Sequence, residues 1–356
     1  MQRESLDFLR QLLTTPSPSG FERKGQRVWL DYVKPYADKT RTDVYGNAMA
    51  TLNPGGDPSV LIVGHADEIG LMVNHIDEDG FLYVTQIGGI DAAVVPGKRL
   101  AIHTAKGPVR GVTGATAIHL RDRDKEEKPR KLHELFVDIG AKSEKGAKSR
   151  VQIGDPVTFV DDFELLDKNI AIARALDNRI GTWIAAETLR LVRASKKKPV
   201  CEIVAASCVQ EEVGLRGSHM VAMQTKPDIG LITDVGHATD SPGIDARRAG
   251  HVKLGGGPLL SIGSSTLPEL NEEIEKIAKA KRIPLQRIAS PGYTGTDTET
   301  IFKVSGGVAC ALVSLPIRYM HTTVEMTDLR DLERIAQLFA AVCLSLKKGQ
   351  RFKARI

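Results

Sequence analysis

Two adjacent glutamates, Glu211 and Glu212, follow the apolar run of residues 202–206. A short apolar run of this kind is typical of a fully buried strand in a parallel sheet, so the two carboxylates stand where such a strand ends. Successive side chains of an extended chain point to opposite sides, and the two glutamates therefore cannot face one atom in the same way. One could bind a metal ion while its neighbour moves a proton; alternatively, the pair could form the solvated start of a helix.

Three further apolar segments are followed by residues of types that bind metal ions. His65 follows residues 59–64, Asp234 stands at the end of residues 229–233, and His321 follows residues 308–316. A single histidine or aspartate in such a position is ordinarily a loop, core or turn residue. However, ligands of open α/β sheets bind at the carboxyl ends of the strands. Four strands that end in this way together predict a metal site at one edge of a sheet.

Two aspartates could complete such a site. Asp177 stands at the start of a predicted helix at 178–190, where it could cap the helix. A carboxylate there could also bridge two cations about 3.5–4 Å apart, with one oxygen for each. Asp67 follows His65 by two residues and lies on the same side of an extended chain. Its carboxylate could therefore accept the second ring N–H of the histidine and fix the tautomer.

The elements that must position these residues follow an α/β pattern. In chain order, the predicted elements are helices at 4–14 and 22–34, a hairpin at 42–52, a strand at 59–64, a helix at 178–190, strands at 202–208 and 228–234, a helix at 267–281, a strand at 308–315 and a helix at 328–346. Apolar periodicity indicates the helices, and short apolar runs indicate the strands. The alternation predicts an α/β fold, with a mixed, mostly parallel sheet and helices on both faces.

Residues 70–159 have a different pattern. Short β-prone segments are separated there by turns rich in Gly, Asp or Lys, without a long amphipathic helix. This predicts an inserted all-β domain, in which the charged run 121–131 is an exposed loop. We therefore expect a catalytic α/β domain in two parts, residues 1–69 and 165–356, with a β-barrel-like domain of residues 70–164 inserted between them.

The composition, with 42% hydrophobic and 26% charged residues among 356, is that of an ordinary globular protein. The N-terminus lacks the apolar core of a secretory signal, and no apolar run approaches the roughly 18 residues that span a bilayer, so we expect a cytoplasmic protein without a membrane partner. The basic tail at 347–355 is expected to be solvated, and no nucleic-acid partner is predicted. Without a Cys-x-x-Cys spacing, the four cysteines are expected to be small core residues.

Together the motifs resemble a known family. It is the dinuclear metallo-aminopeptidases of clan MH, metallopeptidase family forty-two, which includes glutamyl aminopeptidase, tetrahedral aminopeptidases and cellulase-M-like proteins. The similar segments extend over nearly the whole chain. They are 64–70, 175–181, 209–217, 233–235, 295–297 and 318–322, with 134–140 in the insert.

The resemblance implies a site with two metal ions. One ion would be bound by His65, Asp177 and Asp234, and the other by Asp177, Glu212 and His321. Glu211 would be the general base, and Asp67 would support His65. Three carboxylates and two imidazoles suit zinc or cobalt better than calcium or magnesium, so two divalent cations per subunit, zinc or cobalt, are expected.

The resemblance also implies a reaction and an assembly. A water activated by the two metals would hydrolyse the first peptide bond of short peptides, and Glu211 would pass the proton of this water to the leaving amine. Subunits of the family assemble from dimers into homo-oligomers, among them a hollow tetrahedral dodecamer.

Other interpretations stay open at this point. A related amidohydrolase, deacylase or carboxypeptidase could use the same ligands, although such enzymes usually carry an αβ lid domain. An endoglucanase would use paired carboxylates but needs no histidine ligands, and a non-catalytic peptide-binding protein would not need Glu211. The segments 236–250 and 289–300 are expected to line the substrate pocket, where Arg247, Arg248 or Lys253 could favour acidic side chains or simply be solvated.

Overall fold

The computed structural model describes residues 1–120 and 131–356. The predicted exposed loop at 121–131 therefore lies outside the described residues, apart from Lys131, which is exposed. The helices are α1 (Arg3–Thr14), α2 (Arg23–Val33), α3 (Glu144–Lys148), α4 (Leu176–Ala194), α5 (Arg216–Thr225), α6 (Ala246–Ala249), α7 (Pro268–Lys281), α8 (Thr298–Ile301) and α9 (Leu329–Ser345). The longer ones, α1, α2, α4, α7 and α9, lie where apolar periodicity predicted them.

The strands form one large sheet and one barrel. In chain order they are β1 (Lys39–Thr42), β2 (Ala48–Leu52), β3 (Ser59–His65), β4 (Gly70–Ile76), β5 (Leu82–Ile87), β6 (Arg99–Thr104), β7 (Gly107–Thr113), β8 (Phe136–Asp138), β9 (Pro156–Phe159), β10 (Glu164–Leu165), β11 (Ile170–Ala173), β12 (Glu202–Cys208), β13 (Ile229–Ile232), β14 (Val235–His237), β15 (Leu259–Gly263), β16 (Gln286–Ser290), β17 (Ala309–Arg318) and β18 (Glu325–Asp328).

The large sheet has parallel and antiparallel pairs. Its strand order is β1-β2-β12-β3-β13-β17-β18-β11-β10, and β14, β15 and β16 pair beside β17. The strands β12, β3, β13 and β17 are parallel to one another, as are the pairs β14–β17 and β15–β16. Both ends of the strand order are antiparallel, because β1 and β2 form the predicted hairpin and β18, β11 and β10 return as short strands. The sheet is mixed as predicted, but among the described strands the parallel pairs do not outnumber the antiparallel ones.

Helices cover both faces of this sheet, as the sequence predicted. Alternate residues of β3 belong to different apolar clusters: Val60 and Ile62 pack in a cluster that includes α1, α2, α4 and α9, whereas Leu61 and Val63 pack in a cluster that includes α5 and α8. Successive side chains of a strand point to opposite faces of the sheet, so a strand that is buried on both faces needs a packed layer of helices on each. The carboxyl ends of the central strands are left uncovered by these helices and are available for a site.

Residues between β3 and β10 form the second unit, a closed antiparallel barrel with the order β4-β5-β8-β7-β6-β9. Its interior is apolar and fully enclosed, with Leu71, Leu82, Leu100, Val137 and Val157 all inaccessible to solvent. The predicted combination of a mixed α/β sheet with an all-β barrel is therefore confirmed in this general form. Because β3 runs directly into β4 through residues 66–69, only these four residues separate His65 from the barrel.

The remaining composition-based predictions concern cysteines, the tail and the membrane. Cys201, Cys208, Cys310 and Cys343 are all free and buried, as predicted. The C-terminal tail is largely exposed, although Arg351 pairs with Asp57 and Asp228 on the body of the protein. Within the part of the chain that the structure describes, no helix combines the length and apolarity that crossing a bilayer requires.

Candidate metal centre

The central strands end at one edge of the sheet, where the predicted ligands collect. His65 is the last residue of β3 and lies opposite Cys208, the last residue of β12. The chain leaves β12, β13 and β17 at this same edge, and these segments contain Glu211, Glu212, Asp234 and His321. Asp177 stands in the first turn of α4, where its backbone and that of Asn178 are not yet helical. The fold thus brings all five predicted ligands together, along with Glu211 and Asp67.

Asp177 lies between the two histidines. Its Oδ1 atom is 3.2 Å from Nε2 of His65, and its Oδ2 atom is 3.2 Å from Nε2 of His321. One carboxylate therefore faces both imidazoles, with one oxygen for each. A carboxylate that bridges two cations requires this arrangement.

The other carboxylates divide between the histidines. Oδ1 of Asp234 lies 3.9 Å from Nε2 of His65, and Oε2 of Glu212 lies 3.6 Å from Nε2 of His321. Distances below 4.8 Å also group His65 with Glu211 and Asp234, and His65 with Asp177 and Glu212. Asp234 thus approaches His65 within 4 Å, and Glu212 approaches His321 within 4 Å.

Asp67 holds three parts of the centre together. Nδ1 of His65 lies 3.3 Å from Oδ1 of Asp67 and 3.2 Å from its carbonyl oxygen, so Nδ1 carries a hydrogen and Nε2 is the nitrogen that a cation would use. The same carboxylate accepts the backbone N–H groups of Glu211 and Glu212 at 3.0 and 3.1 Å, and the hydroxyl of Ser19 at 2.6 Å. Burial alone would raise the pKa of Asp67, but the hydrogen bonds keep it below its usual value.

Asp177 does not cap α4, although a cap was the alternative reading of its position. Asn178 does so instead: its Oδ1 accepts the backbone N–H of Gly181 at 3.0 Å. Its amide nitrogen donates to the carbonyl oxygen of Thr233 at 2.9 Å, next to Asp234. The start of α4 also packs directly on β3, since a Cβ atom on Gly64 would lie 2.5 Å from Cα of Gly181. The Asp177 carboxylate is therefore free to face the histidines.

The barrel contributes one group to the centre. Nδ1 of His321 donates to the carbonyl oxygen of Gly89, in the segment after β5, at 2.7 Å. This hydrogen bond leaves Nε2 of His321 free, as Asp67 does for His65. Gly89 offers only its backbone here, so no side-chain pattern could have revealed its role from the sequence.

Glu325 is a second contributor that the sequence analysis missed. Its Oε1 accepts the backbone N–H of His321 at 2.9 Å, and its Oε2 accepts that of Asp177 at 3.1 Å. Only 1% of its surface is exposed. One buried carboxylate thus ties the backbone of Asp177 to that of His321. The sequence offered one signal for this role, which is an acidic residue four positions after His321.

Glu325→Gln is expected to weaken cation binding by about 10- to 100-fold, because an amide can accept only one of these two N–H groups and points an N–H at the other. Titration calorimetry of the metal-free variant with zinc measures the change. Asp331→Asn is the matched control, since Asp331 is also buried and accepts two backbone N–H groups, from Gly255 and Gly257, outside the centre. An equal loss of affinity in both variants would assign Glu325 to stability alone.

Glu68 anchors the turn that follows His65. It forms ion pairs with Arg174 and Arg179, and it accepts the backbone N–H of Ser17 at 2.8 Å. Arg179 also donates to the carbonyl oxygens of Leu12 and Thr15, which ties this turn to the end of α1. All three charged side chains are buried. Burial alone would raise the pKa of Glu68, but the two arginines lower it below its usual value, so the carboxylate is charged.

Glu68→Gln is expected to destabilise the fold by about 3–5 kcal/mol, because it leaves two buried guanidinium groups without an opposite charge. The shift of the urea midpoint at constant metal concentration measures this effect. The control is Glu144→Gln, which removes the exposed ion pair with Lys148 and should change stability by less than about 0.5 kcal/mol. Similar midpoints for the two variants would contradict the role of the buried pairs.

The donors of the centre fit a pair of divalent cations. Oε1 of Glu212 is buried and has no hydrogen-bond partner among the described residues. Burial raises the pKa of Glu211 to about 11, although the positive charge of His65 acts to lower it. Burial together with the charge of Asp177 raises the pKa of Glu212 to about 8. The raised pKa values indicate that the buried carboxylates carry more negative charge together than the site tolerates without cations. Two imidazoles and three carboxylates are also donors that zinc or cobalt prefers.

A cavity of about 740 Å³ opens over the centre. Of the segments expected to line it, 236–250 contributes Gly236 and His237, and 289–300 contributes residues 289–296. Arg247, Arg248 and Lys253 are exposed and lie outside the lining. These three cations are therefore solvated, and the interpretation that they favour acidic substrates is wrong for this conformation.

Comparison with known proteins adds to this geometry. A model of the M42 glutamyl aminopeptidase family matches residues 46–338. The lysyl aminopeptidase of Pyrococcus furiosus is 34% identical over 347 residues, which are 96% of this chain and 97% of that protein. The structure of a TET aminopeptidase from a marine sediment Thaumarchaeota archaeon has a TM-score of 0.91 at 32% identity and covers 96% of both chains. The Pyrococcus horikoshii TET1 peptidase has a TM-score of 0.85 at 29% identity, over 96% of this chain and 100% of that chain.

Proposed function

The chain belongs to the M42 peptidase family and is a metal-dependent aminopeptidase, and from this premise we propose that it uses two divalent cations to remove N-terminal residues from short peptides. The family membership confirms the resemblance found in the sequence. The observation that carries the two-cation proposal is the position of Asp177, with one carboxylate oxygen 3.2 Å from each histidine. A site for a single ion would not need two imidazoles that face separate oxygens of one carboxylate.

We assign the cations to two sets of ligands. His65, Asp177 and Asp234 would hold the first, and Asp177, Glu212 and His321 the second. Zinc or cobalt suits the mixture of imidazole and carboxylate donors. When bound, the cations would supply Lewis acidity, which acidifies the attacking water and polarises the scissile carbonyl.

Glu211 is the proton carrier in this proposal. The loop that follows β12 presents its carboxylate to the centre, with Oε2 at 3.6 Å from Nε2 of His65, while Asp67 fixes its backbone. In hydrolysis, the oxygen of water bonds to the scissile carbon, the C–N bond breaks, and a proton of the water moves to the leaving amine. Glu211 would take this proton and then give it to the amine nitrogen.

We also propose that residues 70–164 act as a domain inserted between the two parts of the catalytic domain.

We propose further that the subunits assemble into a homo-oligomer made from dimers. The similarity to the P. horikoshii TET1 peptidase supports the assembly, since that protein can form a tetrahedron or a large octahedral shell. Native mass spectrometry would count the subunits, and a monomer at micromolar concentration would contradict the proposal.

Three substrates test the function against its alternatives. Metal-free protein, prepared with a chelator, should be inactive, and zinc or cobalt should restore cleavage of leucine aminomethylcoumarin amide, which has a free α-amine. The same protein should not hydrolyse N-acetyl-leucine or carboxymethyl cellulose. Preference for N-acetyl-leucine would instead favour a deacylase, and cellulose hydrolysis that resists the chelator would favour an endoglucanase. Peptide binding without metal-stimulated cleavage would favour a non-catalytic role.

A further inference from the structure

The cavity over the metal centre is uncharged beyond the centre itself. Apart from the five ligands and Glu211, its lining in the described part of the chain includes no Lys, Arg, Asp or Glu. The wall beside the centre is built by three neighbouring strands, because β15 pairs with both β16 and β17. The residues of this wall that matter here are Leu259, Ser261, Ile288, Leu312, Ser314 and Met320.

Gly236 packs closely against this wall. It belongs to β14, which pairs with β17 beside β15. A Cβ atom at this position would lie 2.6 Å from Cδ1 of Leu259 and 3.5 Å from Cβ of Ser314. A larger residue would therefore displace Leu259, and glycine adds no polar side chain to the wall.

Charged side chains on the surrounding elements are engaged elsewhere. Glu299 accepts hydrogen bonds from Ser265 and from the backbone and hydroxyl of Thr294. Arg287 on β16 pairs with Glu275, and Arg318 at the end of β17 pairs with Asp240. None of these side chains belongs to the lining of the cavity. A charged substrate side chain would therefore enter the cavity without an opposite charge to meet it.

We propose that the protein selects peptides whose first residue has an uncharged, largely apolar side chain, with Ile288 and Met320, the half-buried apolar residues of the wall, as the residues that set this preference. The proposal rests on the proposed function and specifies its substrate class. An ammonium or carboxylate group loses its hydration in such a cavity and gains no ion pair in return, whereas an aliphatic side chain gains burial. The proposed selectivity therefore differs from the preference for lysine that the name of the P. furiosus relative, a lysyl aminopeptidase, indicates.

Aminomethylcoumarin amides of norleucine, lysine and glutamate test this selectivity, because norleucine matches lysine in length but lacks its charge. With cations saturating, kcat/KM for norleucine should exceed that for lysine and for glutamate by about 100-fold or more. Equal or better cleavage of lysine or glutamate would overturn the selectivity and leave the aminopeptidase function standing. Failure to cleave all three substrates would instead contradict the proposed function.

A charge placed in the wall tests whether this wall contacts the side chain of the substrate. Ser314→Asp should raise the ratio of kcat/KM for lysine over norleucine by about tenfold or more. Ser261→Asp, on the neighbouring strand, should shift the ratio in the same direction and serves if the first variant does not fold. Ser264→Asp is the matched control, because Ser264 is exposed just beyond β15 and outside the lining. An unchanged ratio in a folded wall variant, or an equal shift in the control, would overturn the assignment.

Discussion

Replacing Glu211 with glutamine is expected to lower kcat by about 10²- to 10⁴-fold while both cations stay bound. Glutamine keeps the size of the side chain but cannot take a proton from water. The backbone N–H of residue 211 would still donate to Asp67, so the geometry of the ligands should not change. Steady-state kinetics on leucine aminomethylcoumarin amide measures kcat, and atomic emission spectroscopy of the purified variant measures the metal content.

Glu202→Gln is the matched control for this experiment. Glu202 starts β12, the same strand that leads to Glu211, but it lies at the opposite end and accepts the backbone N–H of Gly55. Its replacement should leave kcat unchanged. If Glu211→Gln retained normal turnover, another group would have to move the proton. If it lost a cation together with activity, Glu211 would be a ligand, as its distance to His65 also permits.

Replacing Asp177 with asparagine is expected to lower the affinity for both cations and to reduce kcat/KM by about 10³-fold or more. The amide keeps one oxygen for one cation but presents an N–H group to the other, and it also removes the negative charge that both cations share. Binding of zinc to the metal-free variant, followed by calorimetry, should show both binding steps weakened.

Glu212→Gln separates a bridging ligand from a terminal one. Because Glu212 faces only His321 in our assignment, its replacement should weaken one binding step and leave the other near its original affinity. Two weakened steps in Glu212→Gln, or a single weakened step in Asp177→Asn, would mean that the carboxylates are shared in a different way.

The sequence predicted which side chains meet at the edge of the sheet, because their positions follow from a simple rule of the fold. His65, Asp234 and His321 stand at or just after apolar runs, and parallel strands place their carboxyl ends side by side. The family resemblance then separated Glu211 from Glu212, a distinction that alternation along a strand cannot make. The roles of these residues stay predictions until cations and variants are examined.

Other features depend on contacts that no local pattern contains. The sequence left open whether Asp177 caps α4, because an aspartate and an asparagine stand together there and either can cap a helix. The structure gives the cap to Asn178 through its bond to Gly181. Gly89 acts through a carbonyl oxygen that only the folded barrel brings to His321.

The sheet was predicted best where its strands are long and apolar. The central strands have continuous apolar runs, whereas β10, β14 and β18 contain two to four residues each and carry too little periodicity to be recognised. Of these, β10 and β18 make one flank antiparallel together with β11, and β18 also carries Glu325 into the centre. The error in "mostly parallel" and the missed residue thus have the same origin.

Anomalous diffraction from crystals grown with zinc would locate the cations. We expect two peaks about 3.5–4 Å apart, one between His65 and Asp234 and one between His321 and Glu212, with Asp177 in contact with both. A single peak, or two peaks that do not share Asp177, in crystals of protein with zinc-dependent activity would contradict this expectation.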